Sequence, residues 1–139
     1  DPSQPFFHFA SHNESHESRL HFDEASYQSY QPQHDPASVP LAPHHPDTPL
    51  FRHVHARYLD RLQVIDGIVA ETVQQLQADG LLESTFIFYF GDHGGVLPRG
   101  KGYLYDNGLH VPLVVRVPAK FRHLVEGFPI GGRVPGFVS

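Results

Sequence analysis

Cysteine is absent from this 139-residue chain, so its residues supply no disulfide framework, no thiolate metal site and no cysteine nucleophile. Methionine is absent as well. With Asp1-Pro2-Ser3 at one end and Gly136-Phe137-Val138-Ser139 at the other, the sequence reads as an internal piece of a longer protein. Bases are scarce: ten Lys and Arg stand against fifteen Asp and Glu, and no basic stripe offers itself to a phosphate backbone, which argues against nucleic acid as a partner. No run approaches the roughly 18 apolar residues of a membrane span, and nothing resembles a signal peptide. Oligomeric state leaves no mark in the sequence.

Histidine is abundant. Protonating all twelve would turn the formal net charge of −5 into +7, so surface charge swings strongly between neutral and mildly acidic pH. The first 49 residues carry seven of those histidines, eight of the thirteen prolines and a single base, Arg19. This half reads mostly as loop. Within it, Pro5-Phe6-Phe7-His8-Phe9-Ala10 is short, aromatic and preceded by proline, which suits a buried strand. Residues 12–46 are polar and turn-rich, far longer than an ordinary connection, and such a loop serves a site or moves.

Asp47-Thr48-Pro49 is a helix start, with a side chain to cap the first amides and a proline suited to the first turn. Apolar residues then recur at Val54, Tyr58, Leu62, Ile65, Val69, Val73 and Leu76, one face of a helix roughly 45 Å long that Gly80 ends. Thr85-Phe86-Ile87-Phe88-Tyr89-Phe90 has the uncharged, aromatic and β-branched character of a central strand covered on both faces. A glycine-rich loop over residues 91–108 precedes a second apolar strand at 111–117, which Pro112 and Arg116 weaken. This order predicts an α/β sandwich, with right-handed crossovers the default for any parallel pairs.

The chemistry gathers after the strands, where open α/β sheets collect ligands. Gly91-Asp92-His93-Gly94-Gly95 places a carboxylate and an imidazole side by side in a tight turn where both can reach a metal; the competing reading is a capped turn with His93 in solvent. Arg99-Gly100-Lys101-Gly102 holds a lysine between glycines, able to approach an anionic oxygen beside a metal, or else simply exposed. His12-Asn13-Glu14-Ser15-His16-Glu17-Ser18-Arg19 follows the aromatic run, and a histidine there can protonate a leaving oxygen. A generic histidine-rich metal site competes, although the intervals match neither a zinc finger nor a His-Glu-x-x-His helix. The pair His44-His45, with His53 and His55, reads as solvated.

The residues from Thr85 to Gly94, then Arg99-Gly100-Lys101-Gly102-Tyr103-Leu104-Tyr105-Asp106-Asn107-Gly108 and on to Leu113, resemble the sulfatase family of the alkaline-phosphatase superfamily. Pro5-Phe6-Phe7 leading to Ser15-His16-Glu17-Ser18, and Pro46-Asp47-Thr48-Pro49 before a long helix, are similar to that family in the same order. The resemblance implies that residues 1–139 are part of a three-layer α/β/α sandwich with a mainly parallel sheet, and of a sulfatase-like catalytic domain. It implies hydrolysis of a small-molecule or glycan sulfate ester or sulfamate. Asp92 and His93 would be metal ligands, Lys101 would contact the sulfate, and His16 would contact the sulfate or protonate the leaving group. The cofactors implied are a divalent metal, usually calcium, and a formylglycine nucleophile made from cysteine or serine. The family's Cys or Ser-x-Pro-x-Arg motif has no counterpart here; it and a further metal-binding aspartate pair are expected upstream, and the run from Gly132 to Ser139 resembles the approach to a later family segment. These residues alone would then be inactive. Many sulfatases carry asparagine where His93 stands. Asp-His also occurs in related phosphonate and phosphodiester hydrolases, and imidazole suits zinc or manganese better than calcium. Two alternatives follow: such a hydrolase, or a non-catalytic histidine-rich metal-binding module. A periplasmic or secreted setting rests on the resemblance alone.

Overall fold

The computed structural model describes residues 4–134, so the features read at Asp1-Pro2-Ser3 and over residues 135–139 lie outside the described residues. A 3-10 turn at Glu17–Arg19 and helix α1, Glu24–Ser29, precede the long helix α2, Pro49–Ala78. Then follow a 3-10 turn at Leu82–Ser84, strand β1 at Ile87–Phe90, helix α3 at Asp106–Leu109, strand β2 at Leu113–Arg116 and a 3-10 segment at Ala119–Val125.

Helix α2 is bounded as its sequence requires. The Thr48 hydroxyl accepts from the Phe51 amide at 3.2 Å, Pro49 occupies the first turn, and Gly80 stands just past the end at φ 69°. Its first half carries the loop-rich N-terminal segment. Arg52 is central there, pairing both Asp47 oxygens and donating to the carbonyls of Pro36 and Ala37 at 3.3 and 3.1 Å. Val39 in that segment and Ala56 and Ile65 on the helix are buried.

Strands β1 and β2 pair antiparallel, Ile87 opposite Arg116 and Phe90 opposite Leu113. The resemblance implies a mainly parallel sheet, of which the described residues hold this one antiparallel pair. A parallel pair needs a long crossover, usually helical, whereas the connection here folds into a compact loop containing only the four-residue α3 and returns the chain beside β1. Arg116 is accommodated because its guanidinium leaves the sheet to bind the Leu82 carbonyl at 2.6 Å and Glu83 at 2.7 Å. Two expectations are corrected. Residues 5–10 form no strand, and Phe6, Phe7 and Phe9 are exposed. Nor is β1 covered on both faces, since Phe88, Tyr89 and Phe90 are exposed. Among the described residues β1 has one neighbouring strand and the aromatic run none, so neither has the layers that burial demands. No helix among the described residues is long and apolar enough to cross a membrane.

Candidate active site

The loop between the strands is shaped by its backbone. Gly91 N–H donates to the Pro112 carbonyl at 3.1 Å, Gly94 N–H to Gly108 at 3.1 Å, and Lys101 N–H to Gly95 at 2.8 Å, so the loop crosses itself twice. At Gly94, Gly100 and Gly108 an added Cβ would run into the carbonyls of Asn107, Gly95 and Tyr103 respectively. Only glycine permits those approaches. Arg99 holds φ at 67°, a left-handed conformation costing a non-glycine residue about 1–2 kcal/mol, with its guanidinium 4.9 Å from the centre of the Tyr105 ring. Lys101 follows directly after this turn, its amide already donating to the Gly95 carbonyl.

At the start of the loop, His93 Nδ1 lies 2.9 Å from the Gly94 carbonyl. A carbonyl only accepts, so Nδ1 carries the proton and Nε2 presents its lone pair. That nitrogen lies 3.6 Å from Asp92 Oδ2, and Asp92 is largely in solvent. Two acceptors facing each other are an arrangement that a cation, or a second proton on the imidazole, would satisfy. As a donor set they supply two of the four or more positions a divalent ion takes. No group of three or more His, Asp or Glu among the described residues is placed to hold a metal.

Lys101 reaches back to the N-terminal segment, its Nζ lying 3.5 Å from Glu17 Oε2. Glu17 follows His16 directly, so His16 and Lys101 are brought into one neighbourhood across 85 residues of sequence. His16 caps the 3-10 turn: its Nδ1 accepts from the Ser18 amide at 3.3 Å and lies 2.9 Å from the Ser18 hydroxyl. Accepting an amide proton leaves Nδ1 unprotonated in the neutral ring, so Nε2 bears the hydrogen and acts as a donor. His16 borders an open cleft with Asn13, Ser18 and Arg19. Among the described residues no hydrogen bond or ion pair joins Asp92 or His93 to His16 or Lys101; Lys101 shares the loop with Asp92 and His93, and His16 approaches from the N-terminal segment.

Several polar residues take on roles that their local sequence does not suggest. Asp60, only 6 % exposed, accepts from the Tyr30 hydroxyl at 2.6 Å and the Gln33 amide at 3.0 Å through Oδ2. Its Oδ1 accepts from the His34 amide at 3.0 Å and His34 Nδ1 at 2.6 Å. Burial alone would raise this carboxyl, but the hydrogen bonds from Tyr30, His34 and the two amides outweigh it and hold the group below the usual range. Burial and the adjoining carboxylate push the Tyr30 phenol up. The expectation of solvated histidines is corrected for His53 and His55, each 8 % exposed. Burial depresses both, with Arg57 adding to the effect at His53 and His45 at His55. His45, packed edge-on to His55 at 5.9 Å, is likewise depressed by burial and then by His44. These rings serve as aromatic packing: His53 meets Tyr27 at 4.6 Å, and His45 meets Phe51 at 4.9 Å. His44 Nε2, 3.3 Å from the Pro98 carbonyl, ties this cluster to the glycine loop.

Comparison with known proteins bears on what this arrangement is for. The sulfatase family model matches residues 1–139. An ulvan-active sulfatase of Formosa agariphila is 42 % identical over 80 residues, 58 % of this chain and 13 % of that protein. The human N-acetylglucosamine-6-sulfatase is 39 % identical over 59 residues, covering 39 % of the chain and 11 % of the relative. A mouse steryl-sulfatase is 27 % identical over 111 residues, 61 % of the chain and 18 % of the relative. The chain thus spans less than a fifth of each of these relatives. No solved structure matches it.

Proposed function

This chain belongs to the sulfatase family, and from that premise we propose that the intact protein is a metal-dependent hydrolase of sulfate esters or sulfamates. We read residues 1–139 as part of its catalytic domain, a three-layer α/β/α sandwich. The observation that carries the site assignment is the meeting of Lys101 with the turn capped by His16, which places two hydrogen-bond donors in one neighbourhood.

In this reading Lys101 exchanges Glu17 for a sulfuryl oxygen when substrate binds. Its charge offsets the negative charge that builds there in the transition state. His16 presents Nε2–H toward the bridging oxygen as a hydrogen-bond donor that offsets the charge building there as the alcohol departs, while Ser18 holds the ring in the donor tautomer. Asp92 Oδ2 and His93 Nε2 would be two of the ligands of the divalent ion, with calcium as the family expectation; the ion would polarise the sulfuryl group when bound. The nucleophile is taken to be a formylglycine supplied from outside these residues.

The imidazole of His93 favours one second reading, a phosphonate or phosphodiester hydrolase of the same superfamily, because nitrogen ligands suit zinc or manganese. Assays of the intact enzyme on matched aryl sulfate, sulfamate and phosphodiester substrates, with mass spectrometry of the nucleophile peptide and metal analysis, separate the two. Sulfate turnover with an aldehyde-bearing nucleophile is expected. A diester preference with an unmodified hydroxyl would establish the second reading, and absence of turnover on all three with retained metal would point to a non-catalytic metal-binding module.

A further inference from the structure

The cleft bordered by Asn13, His16, Ser18 and Arg19 has a volume of about 360 Å³, within the range of roughly 300–1,000 Å³ typical of ligand clefts. Each of its four side chains can donate a hydrogen bond, and none is a carboxylate, although the chain is acidic overall with a formal charge of −5. Arg19 is the one base among the first 49 residues, and it stands in this cleft.

The nearby carboxylates are already engaged. Glu14 lies between two guanidiniums, 3.5 Å from Arg19 and 3.4 Å from Arg61, so this trio retains one positive charge in excess. Glu17 faces Lys101 instead. A third guanidinium, that of Arg57, donates to the Arg19 carbonyl at 3.3 Å. Arg19 itself is half exposed, and its contact with Glu14 is at the outer limit of hydrogen bonding, so the fork is free to turn toward a ligand. Arg19 ends the 3-10 turn that His16 caps, and both side chains line the same cleft.

We propose that this cleft is a subsite for a second anionic group on the alcohol portion of the substrate, with Arg19 as the specificity-determining residue. The inference rests on the reading of His16 as the group facing the leaving oxygen. A substrate seated with its bridging oxygen at His16 then extends its alcohol portion past Ser18 and Asn13 to Arg19, whose fork matches a carboxylate or a sulfate with two parallel hydrogen bonds. The carboxylate is planar and the sulfate tetrahedral, but each offers two acceptor oxygens on one atom at a spacing the fork can span. The protein therefore acts on polyanionic glycans in preference to isolated sulfate monoesters.

The test compares the intact wild-type enzyme with its Arg19→Ala and Arg19→Lys variants on three matched oligosaccharides: one bearing a single sulfate and otherwise neutral, one with an added uronate and one with an added second sulfate. The wild type is expected to favour an anionic partner, and the uronate and sulfate arms identify which. Arg19→Ala should raise KM for that substrate about 10- to 100-fold, the loss of one charge-assisted contact, while kcat and all constants for the neutral substrate change less than about threefold. Arg19→Lys, which keeps the charge and the fold, should recover part of the binding and none of the bidentate discrimination. Equal losses on neutral and anionic substrates would show Arg19 to be structural and overturn the proposal while leaving the sulfatase reading intact. A wild type indifferent to the added anion would do the same. A wild type that turns over no sulfate ester would overturn the sulfatase reading and the subsite with it.

Discussion

Replacing Asp60 with asparagine keeps the shape of the side chain and changes only its hydrogen-bonding sense. Each carboxylate oxygen accepts from one backbone amide, His34 at Oδ1 and Gln33 at Oδ2. Either orientation of the new amide therefore sets an NH2 group against a backbone N–H. The Tyr30 hydroxyl can turn and accept, and His34 Nδ1 can accept in its other tautomer, but a backbone amide can do neither. One N–H is orphaned, at about 1–3 kcal/mol, and the remaining bonds lose their charge assistance. The easier burial of a neutral group offsets part of this, leaving a net cost of about 2–4 kcal/mol. Hydrogen exchange of the peptide covering residues 30–36 reads the loss directly: at neutral pH the Gln33 and His34 amides should exchange roughly 30- to 1,000-fold faster in Asp60→Asn than in the wild type. The depressed carboxyl also fixes the pH dependence. Its stabilisation is fully present above the unfolded carboxyl value of about 3.9 and is lost as pH falls through the folded value, so wild type and variant should converge in acid. Exchange at residues 33 and 34 unchanged within twofold would refute the view that Asp60 anchors this segment.

The buried histidines respond at higher pH. His45, His53 and His55 sit below the ordinary histidine value of 6.5, so the unfolded chain binds more protons once pH drops below it. Stability is full above about pH 6.5 and should decline on acidification by at most about 1.4 kcal/mol per pH unit for each ring; urea midpoints flat from pH 7.5 to 5.5 would contradict this. Lys101→Ala in the intact enzyme should lose ~10²-fold or more in kcat with intact secondary structure, and an unaffected enzyme would remove the lysine from the site. Gly100→Ala should destabilise the loop by about 2 kcal/mol or more, because the methyl meets the Gly95 carbonyl rather than a flexible side chain; limited proteolysis between residues 91 and 110 would report it.

What the sequence discloses here is what local chemistry decides. Thr48, Pro49 and Gly80 bound α2 because caps and breakers act within a turn, and the motif around Asp92 lies just past β1 as its position implied. The motif from Arg99 to Gly102 likewise falls in the loop expected of it. Pairing is different. Whether two strands run parallel, or an aromatic run finds neighbours, depends on distant segments, and composition is silent on that. Asp60 looks like any helix aspartate, since its donors at Tyr30, Gln33 and His34 lie 26 to 30 residues upstream in a stretch without periodicity. The histidines misled for a related reason: a neutral imidazole packs like an aromatic ring, and although Phe51 stands one turn before His55, nothing adjacent to His53 announces the Tyr27 ring packed against it. Glu17 as the resting partner of Lys101 was equally hidden.

The self-crossing loop divides its positions into two kinds. Where main chain lies against main chain, at Gly94, Gly100 and Gly108, no side chain can be introduced and the path cannot be lengthened without opening a crossing. Between those points Leu104 is 89 % exposed and Tyr103 also faces outward, so their replacement leaves the path undisturbed, whereas Tyr105 carries the Arg99 guanidinium on its ring. Variation can therefore accumulate at the rim while the backbone that carries Asp92, His93 and Lys101 stays constant. A library confined to Tyr103 and Leu104 would sample new surfaces around a preserved frame.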